Sequence, residues 1–144
     1  VLDRAWIAAH IPHQGTMCLL NAVLEWDESR IVCEALSHTL PDNPLRAEGR
    51  LGAASGVEYA AQAMAVHGGL LAPEGGEPTQ GYLTSVRGLN LHTTRLDDVT
   101  GPLRVTAERL SGDARLILYQ FQIHHGDRCL LDGRASVVLD AQTL

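Results

Sequence analysis

The segment Leu51–Leu71, read LGAASGVEYAAQAMAVHGGLL, constrains the fold more than any other part of the chain. Nearly every side chain in it is small or apolar, with helix formers throughout, so the spacing predicts a helix that protein wraps on most sides. One carboxylate interrupts it. Glu58 stands in the middle, with Gln62 one turn on and Ser55 about one turn back. At about 3.6 residues per turn these three positions form one polar stripe. An unpaired buried carboxylate costs several kcal/mol, so such a group is paired or held protonated. Two readings of Glu58 follow. It is a candidate general acid, or it is a structural Glu bonded to Gln62 or paired with an arginine.

The flanking sequence supplies what must cover such a helix. Leu2 to Ala9 has room for one or two helical turns before Pro12 and Gly15 end them. Cys18–Trp26 and Arg30–Leu36 are apolar runs about the turn Asp27-Glu28-Ser29, which predicts a hairpin. Residues 37–50, with Pro41, Asn43-Pro44 and Gly49, read as loop, and residues 72–80 as a polar loop. A strand is expected over 81–95 with a kink at Gly88. Further on, the apolar period becomes two: Leu103, Val105, Ala107, then Ile117, Tyr119, Phe121, Ile123. The last run, Arg128 to Leu139, carries Gly133 in its middle, where a bulge or bend is expected. The expected class is α+β in one domain over residues 1–144, with a curved antiparallel sheet wrapping one long helix. A single sheet layer leaves edge strands, and pairing edges in a dimer is the usual remedy.

Several function classes are excluded or disfavoured by composition. The net charge of −6 argues against nucleic acid as the main partner. No run of about 18 uncharged apolar residues exists, so no membrane span is expected, and nothing at the start reads as a signal peptide. All 11 basic residues are arginine, a type suited to bidentate contacts with phosphate or carboxylate. The three cysteines are widely spaced and odd in number, which suggests reduced thiols in a cytoplasmic protein. No metal site is expected. His124 and His125 are adjacent on a strand and point to opposite faces, and His10 with His13 straddles Pro12. No cofactor motif is present.

Two segments resemble a known family. Ile11-Pro12-His13-Gln14-Gly15-Thr16-Met17-Cys18-Leu19-Leu20 resembles the N-terminal L-P-H-R-x-x-x-L-L-x-D motif of hotdog-fold β-hydroxyacyl-acyl-carrier-protein dehydratases. Gly56-Val57-Glu58-Tyr59-Ala60-Ala61-Gln62 resembles the start of their central helix. The chain is most similar to the dehydratase-like subgroup found with aryl polyene biosynthesis clusters, through Asn43-Pro44, Gly49, Leu51, Gly56-Val57-Glu58 and Ala61-Gln62. It departs from the fatty acid enzymes at one point. Their loop histidine lies fourteen residues before the Glu, where this chain has Pro44, and no His occurs in 39–57.

The resemblance implies a hotdog fold and dehydration of a 3-hydroxyacyl thioester carried by acyl carrier protein or CoA, in fatty acid or polyene biosynthesis. It implies Glu58 as acid and, with the loop histidine missing, His13 as preferred base over His38. It further implies Gln62, Ser55, Gly56 and Asn43 as substrate-binding positions, with free amides of Gly52–Gly56 as oxyanion donors. In the family the acid and base come from different protomers, which implies a homodimer or a heterodimer with another hotdog subunit. Arg46, Arg50 and Arg87 are candidates for the carrier's phosphate. The alternatives are a hotdog acyl thioesterase and a non-catalytic subunit of a heterodimeric dehydratase.

Overall fold

The computed structural model describes residues 1–13, 15–72, 81–113 and 115–139. Among these, seven strands form one antiparallel sheet in the order β1-β2-β3-β5-β6-β7-β4. The strands are β1 (Leu2–Asp3), β2 (Ala22–Trp26), β3 (Arg30–Ala35), β4 (Gly81–Leu91), β5 (Leu103–Gly112), β6 (Leu116–His125) and β7 (Arg128–Leu139). A short helix, α1 (Arg4–His10), follows β1, and the long helix α2 (Gly56–Leu71) packs across β3, β5 and β6. The sheet wraps one long helix, as the composition of 51–71 requires. No helix among the described residues is long and apolar enough to cross a membrane.

Local chemistry explains the joints. Asp3 caps α1 by accepting the Trp6 N–H at 2.9 Å. The β2–β3 turn closes on Asp27, whose Oδ1 accepts the Ser29 and Arg30 amides at 2.7 and 2.9 Å. Asp113 does the same for the β5–β6 turn, accepting from Arg115 and Leu116. In β6 the alternation is as expected. Ile117, Tyr119, Phe121 and Ile123 are buried toward the helix, facing Tyr59, Ala60 and Ala63 in one core. Each large apolar side chain taken fully out of water there stabilises by about 1.5–3 kcal/mol.

Some expectations shift. The first hairpin strand begins at Ala22, not Cys18, because the Leu19 amide is drawn away to a helix side chain, as described below. Residues 81–95 hold a strand only to Leu91, after which Thr94 turns to accept the Ala53 amide. The expected kink at Gly88 is present, with φ +58° and a register shift between Arg87 and Asn90. Gly133 is not itself an extra residue, but the expected bulge lies across from it, where the β4 register shifts between Arg87 and Asn90. On the β6 side it stays in register opposite Phe121, and a Cβ there would come within 2.9 Å of the Phe121 ring. The irregularity in β7 lies three residues earlier, at Leu130. Of the expected loop 72–80, residues 73–80 fall outside the described residues.

Candidate active site

The site is built around the start of α2. Leu51 and Ala53 are pinned to the segment that follows β4. The Leu96 amide donates to Leu51 O at 2.8 Å, and the Ala53 amide donates to Thr94 O at 3.1 Å. The Leu51 amide donates to Asp97 Oδ1 at 2.9 Å. Arg95 grips the Asp97 carboxylate and, with that amide, holds it well below the usual carboxylate range. A 3-10 turn, Ala53–Ser55, then runs straight into α2.

That continuity decides what Gly56 does. Its N–H already points at the Ala53 and Ala54 carbonyls, and the Ser55 amide is given to Gly52 O. The free oxyanion donors expected over Gly52–Gly56 are therefore spent at 53, 55 and 56. Gly56 is required for another reason: a Cβ there would sit 2.7 Å from Leu131 Cδ2 and 3.0 Å from Ile123 Cδ1. Glycine lets the helix start lie directly on β6 and β7.

Glu58 lies in the first turn of α2 and is half-buried. Among the described residues its carboxylate has no hydrogen-bond or ion-pair partner, which sets aside the reading of a structural Glu bonded to Gln62 or an arginine. It also differs from full sequestration. Glu58 shares a helix face with Ala54, Ala61, Ala65 and Gly69, which are exposed or half-exposed because the sheet does not cover that side. Ser55, one turn back, is half-buried and makes no capping bond with its hydroxyl.

Gln62 leaves this stripe. Its side chain is 0% exposed. Oε1 accepts the Leu19 amide at 2.9 Å, and Nε2 donates to Met17 O at 2.6 Å. It therefore staples the motif containing His13 onto the catalytic-candidate helix, one turn past Glu58. Arg4 braces the same motif by donating to the Gly15 and Cys18 carbonyls. His13 is half-buried, and its Nδ1 is inaccessible with no partner among the described residues. No hydrogen bond or ion pair joins His13 to Glu58 within the protomer.

Three of the other candidates, Asn43, His38 and Arg46, are engaged in hydrogen bonds within the protomer. Asn43 is buried with its amide fully engaged: Nδ2 donates to Ser37 O and Tyr59 Oη, and Oδ1 accepts from Leu45 N. It ties the loop before the helix to the helix itself, and Ser37 completes the link through Tyr59 at 2.8 Å. His38 is 1% exposed, donates from Nε2 to Val99 O, and is held toward its neutral form by burial. Arg46 braces its own loop through the Gly49 and His38 carbonyls. Arg50 and Arg87 are exposed.

One buried group escaped the sequence reading. His67, near the end of α2, accepts from Tyr119 Oη at Nδ1 and donates from Nε2 to Asp27 O, both at 2.8 Å. Burial lowers its pKa. Only its place three turns along an apolar helix could have marked it as a satisfied core histidine.

The profile of the ApeP-like family, described as ApeP dehydratase, matches residues 5–143. No curated protein sequence matches the chain. Among solved structures, a chain of the dehydratase heterocomplex ApeI:P from Xenorhabdus doucetiae superposes with TM-score 0.84 at 20% identity, covering 95% of this chain and 92% of that one. A thioesterase from Haemophilus influenzae gives TM-score 0.62 at 14% identity, over 85% and 80%. A thioesterase variant from Pseudomonas aeruginosa gives 0.63 at 15%, over 96% and 95%. At these identities the likeness establishes the hotdog fold.

Proposed function

Because the chain belongs to the ApeP-like dehydratase family, we propose that it dehydrates a 3-hydroxyacyl thioester to the trans-2-enoyl thioester in a two-subunit site. The observation that carries this reading is Glu58, unpaired among the described residues in the first turn of an otherwise apolar helix. A carboxyl in that position can give its proton to the departing C3 hydroxyl. The C2 proton, acidified by the thioester carbonyl, passes to an imidazole, water leaves, and the C2–C3 double bond forms. His13 is the proposed base. That no hydrogen bond or ion pair joins it to Glu58 within one protomer agrees with an acid and base drawn from different subunits. Gln62 acts as a positioning residue through Met17 and Leu19. Ser55 is the polar group nearest in sequence for a substrate contact, while Asn43 and Gly56 shape the loop and the helix start.

The proposed substrate arrives on acyl carrier protein or CoA, and the proposed assembly is a homodimer or a pair with a second hotdog subunit. A cytoplasmic setting agrees with three unpaired cysteines. A second reading, a non-catalytic subunit of a heterodimeric dehydratase, is favoured by the absence of any His over 39–57. The test is hydration of a short 2-enoyl thioester by the purified chain, alone and mixed with a neighbouring hotdog subunit. Loss of turnover in Glu58→Gln and His13→Ala with the fold intact supports the proposal. Turnover only in the mixture, unaffected by both variants, selects the non-catalytic subunit. Release of free thiol from acyl-CoA without hydration selects a thioesterase.

A further inference from the structure

On the face of the sheet away from α2, a second cluster of chemistry-bearing side chains lies outside the site described above. His92, just past the end of β4, meets Cys129 and Asp132 of β7. His92 Nε2 lies 2.8 Å from Asp132 Oδ2, and Cys129 Sγ lies 3.8 Å from the same oxygen. All three ligand atoms fall within 4.8 Å of one another. We propose that His92, Cys129 and Asp132 form a zinc-class metal site with an open coordination position.

The backbone is bent to make this cluster. Residues three apart on a regular strand point to opposite faces. Here Ile123 pairs with Leu131 but His124 pairs with Cys129, so Leu130 is an extra residue in β7. The bulge buries Leu130 and Leu131 side by side and turns Cys129 and Asp132 to one common face. His92 is held beside them by its own amide, which donates to Leu130 O at 2.9 Å. Asn90 Nδ2 takes the other carboxylate oxygen, Asp132 Oδ1, at 2.9 Å, the second-sphere hydrogen bond that orients a ligating carboxylate.

The donor set selects the metal. Thiolate with imidazole and carboxylate suits zinc and its softer neighbours, whereas magnesium and calcium take oxygen alone. Zinc bonds of about 2.0–2.3 Å place tetrahedral ligands about 3.3–3.8 Å apart. The Cys129–Asp132 separation already lies at the edge of that range; to reach tetrahedral geometry the His92–Asp132 contact opens from 2.8 Å by about 0.5 Å and the His92–Cys129 separation, within 4.8 Å, closes by up to about 1 Å. Three protein ligands leave the fourth position to water or an incoming donor. Asp132 and Asn90 also line a hollow of about 940 Å³ on this face, bordered by Arg87 and Arg134, and His92 itself is exposed, so the cluster is open to solvent on one side.

The test uses the full chain without a polyhistidine tag, loaded with Zn²⁺ alone and separately with Co²⁺. One zinc per chain should survive dialysis, and Co²⁺ should give a thiolate charge-transfer band. That band is assignable, because Cys18 and Cys33 are buried in the core and Cys129 alone of the three is partly accessible. Zinc should also slow alkylation of Cys129, and a chelator should restore it. Cys129→Ser and His92→Ala should lose the band, and Asn90→Ala should weaken binding about 10–100-fold. His92→Ala sits at an exposed position and keeps the test open if the β7 variant fails to fold. Zinc retention equal in wild type and Cys129→Ser, or alkylation indifferent to zinc, overturns the site.

Discussion

Gln62 offers a sharp test of how this site is held together, because its two bonds can be removed singly. In Gln62→Ala the Leu19 amide loses its acceptor inside the core, and a buried unsatisfied group costs about 1–3 kcal/mol. Met17 is only half-buried, so water can take over its carbonyl, and that second loss falls at the low end of the same range. With the space left by the missing atoms, the variant should lose about 2–4 kcal/mol. That is a large share of the roughly 5–15 kcal/mol of a typical domain. Gln62→Glu separates the two bonds. An ionised carboxylate still accepts from Leu19 but has no proton for Met17 O. The protonated form restores both bonds, so the introduced carboxyl has a folded-state pKa above its unfolded value near ~4.3. The sign follows by linkage: its stabilisation is fully present below about pH 4.3 and disappears as pH rises through the higher folded-state value. Urea unfolding of wild type and both variants across pH 4–8 measures this. A loss under about 1 kcal/mol in Gln62→Ala, or a Gln62→Glu deficit that does not grow with pH, refutes the staple.

Other consequences follow from the same packing. Gly56→Ala should destabilise by about 1–3 kcal/mol in chemical denaturation, since the new methyl meets Leu131 and Ile123 at 2.7 to 3.0 Å in a filled core. His67 is held neutral by burial, so its stabilisation is complete above about pH 6.5 and is lost as pH falls through its lowered folded-state value. His67→Gln keeps both hydrogen bonds without the titration, and its stability curve between about pH 6.5 and 5 should be flatter than wild type, with His38 supplying the slope that remains. Leu83→Lys with Leu89→Lys, at exposed positions on the edge strand β4, should shift the proposed assembly toward monomer in size-exclusion chromatography without changing far-UV circular dichroism. An unchanged elution volume would remove β4 from the interface.

Composition and period made most of the elements legible. An all-round apolar helix has one solution, and strict alternation at Ile117–Ile123 left no doubt which face of β6 meets it. Asp27 and Asp113 close their turns with the bonds their residue type suggests. What could not be read were contacts that depend on distant partners. Gln62 looks from spacing like a neighbour of Glu58, yet its bonds reach back 43 and 45 residues. Gly56 looks like an open helix start, but a 3-10 turn in front of it consumes the amide. Gly133 looks like a bulge, whereas the extra residue is Leu130, a leucine no composition rule would suspect. The cluster His92–Cys129–Asp132 has no spacing motif, because a bulge and the end of β4 create it.

Two incomplete surfaces converge on one physical requirement. The helix face carrying Glu58 has Ala54, Ser55, Ala61, Ala65 and Gly69 as its exposed or half-exposed neighbours, and none has a side chain long enough to cover a carboxylate. At one end of the sheet, β4 runs for 11 residues with Tyr82, Leu83, Leu89 and Leu91 in solvent and one edge unpaired among the described residues. Such an edge favours pairing with another chain. On the proposed reading, that chain must also bring the wall that excludes water from Glu58, since proton transfer to a leaving hydroxyl is favoured where bulk water is kept out. A single protomer therefore has the acid without its enclosure, and turnover should track assembly: diluting the protein below the dissociation constant of its complex should abolish hydration while unfolding none of the chain. Activity per chain that stays constant through dissociation would show that one protomer encloses its own chemistry, and the two-subunit site would have to be abandoned.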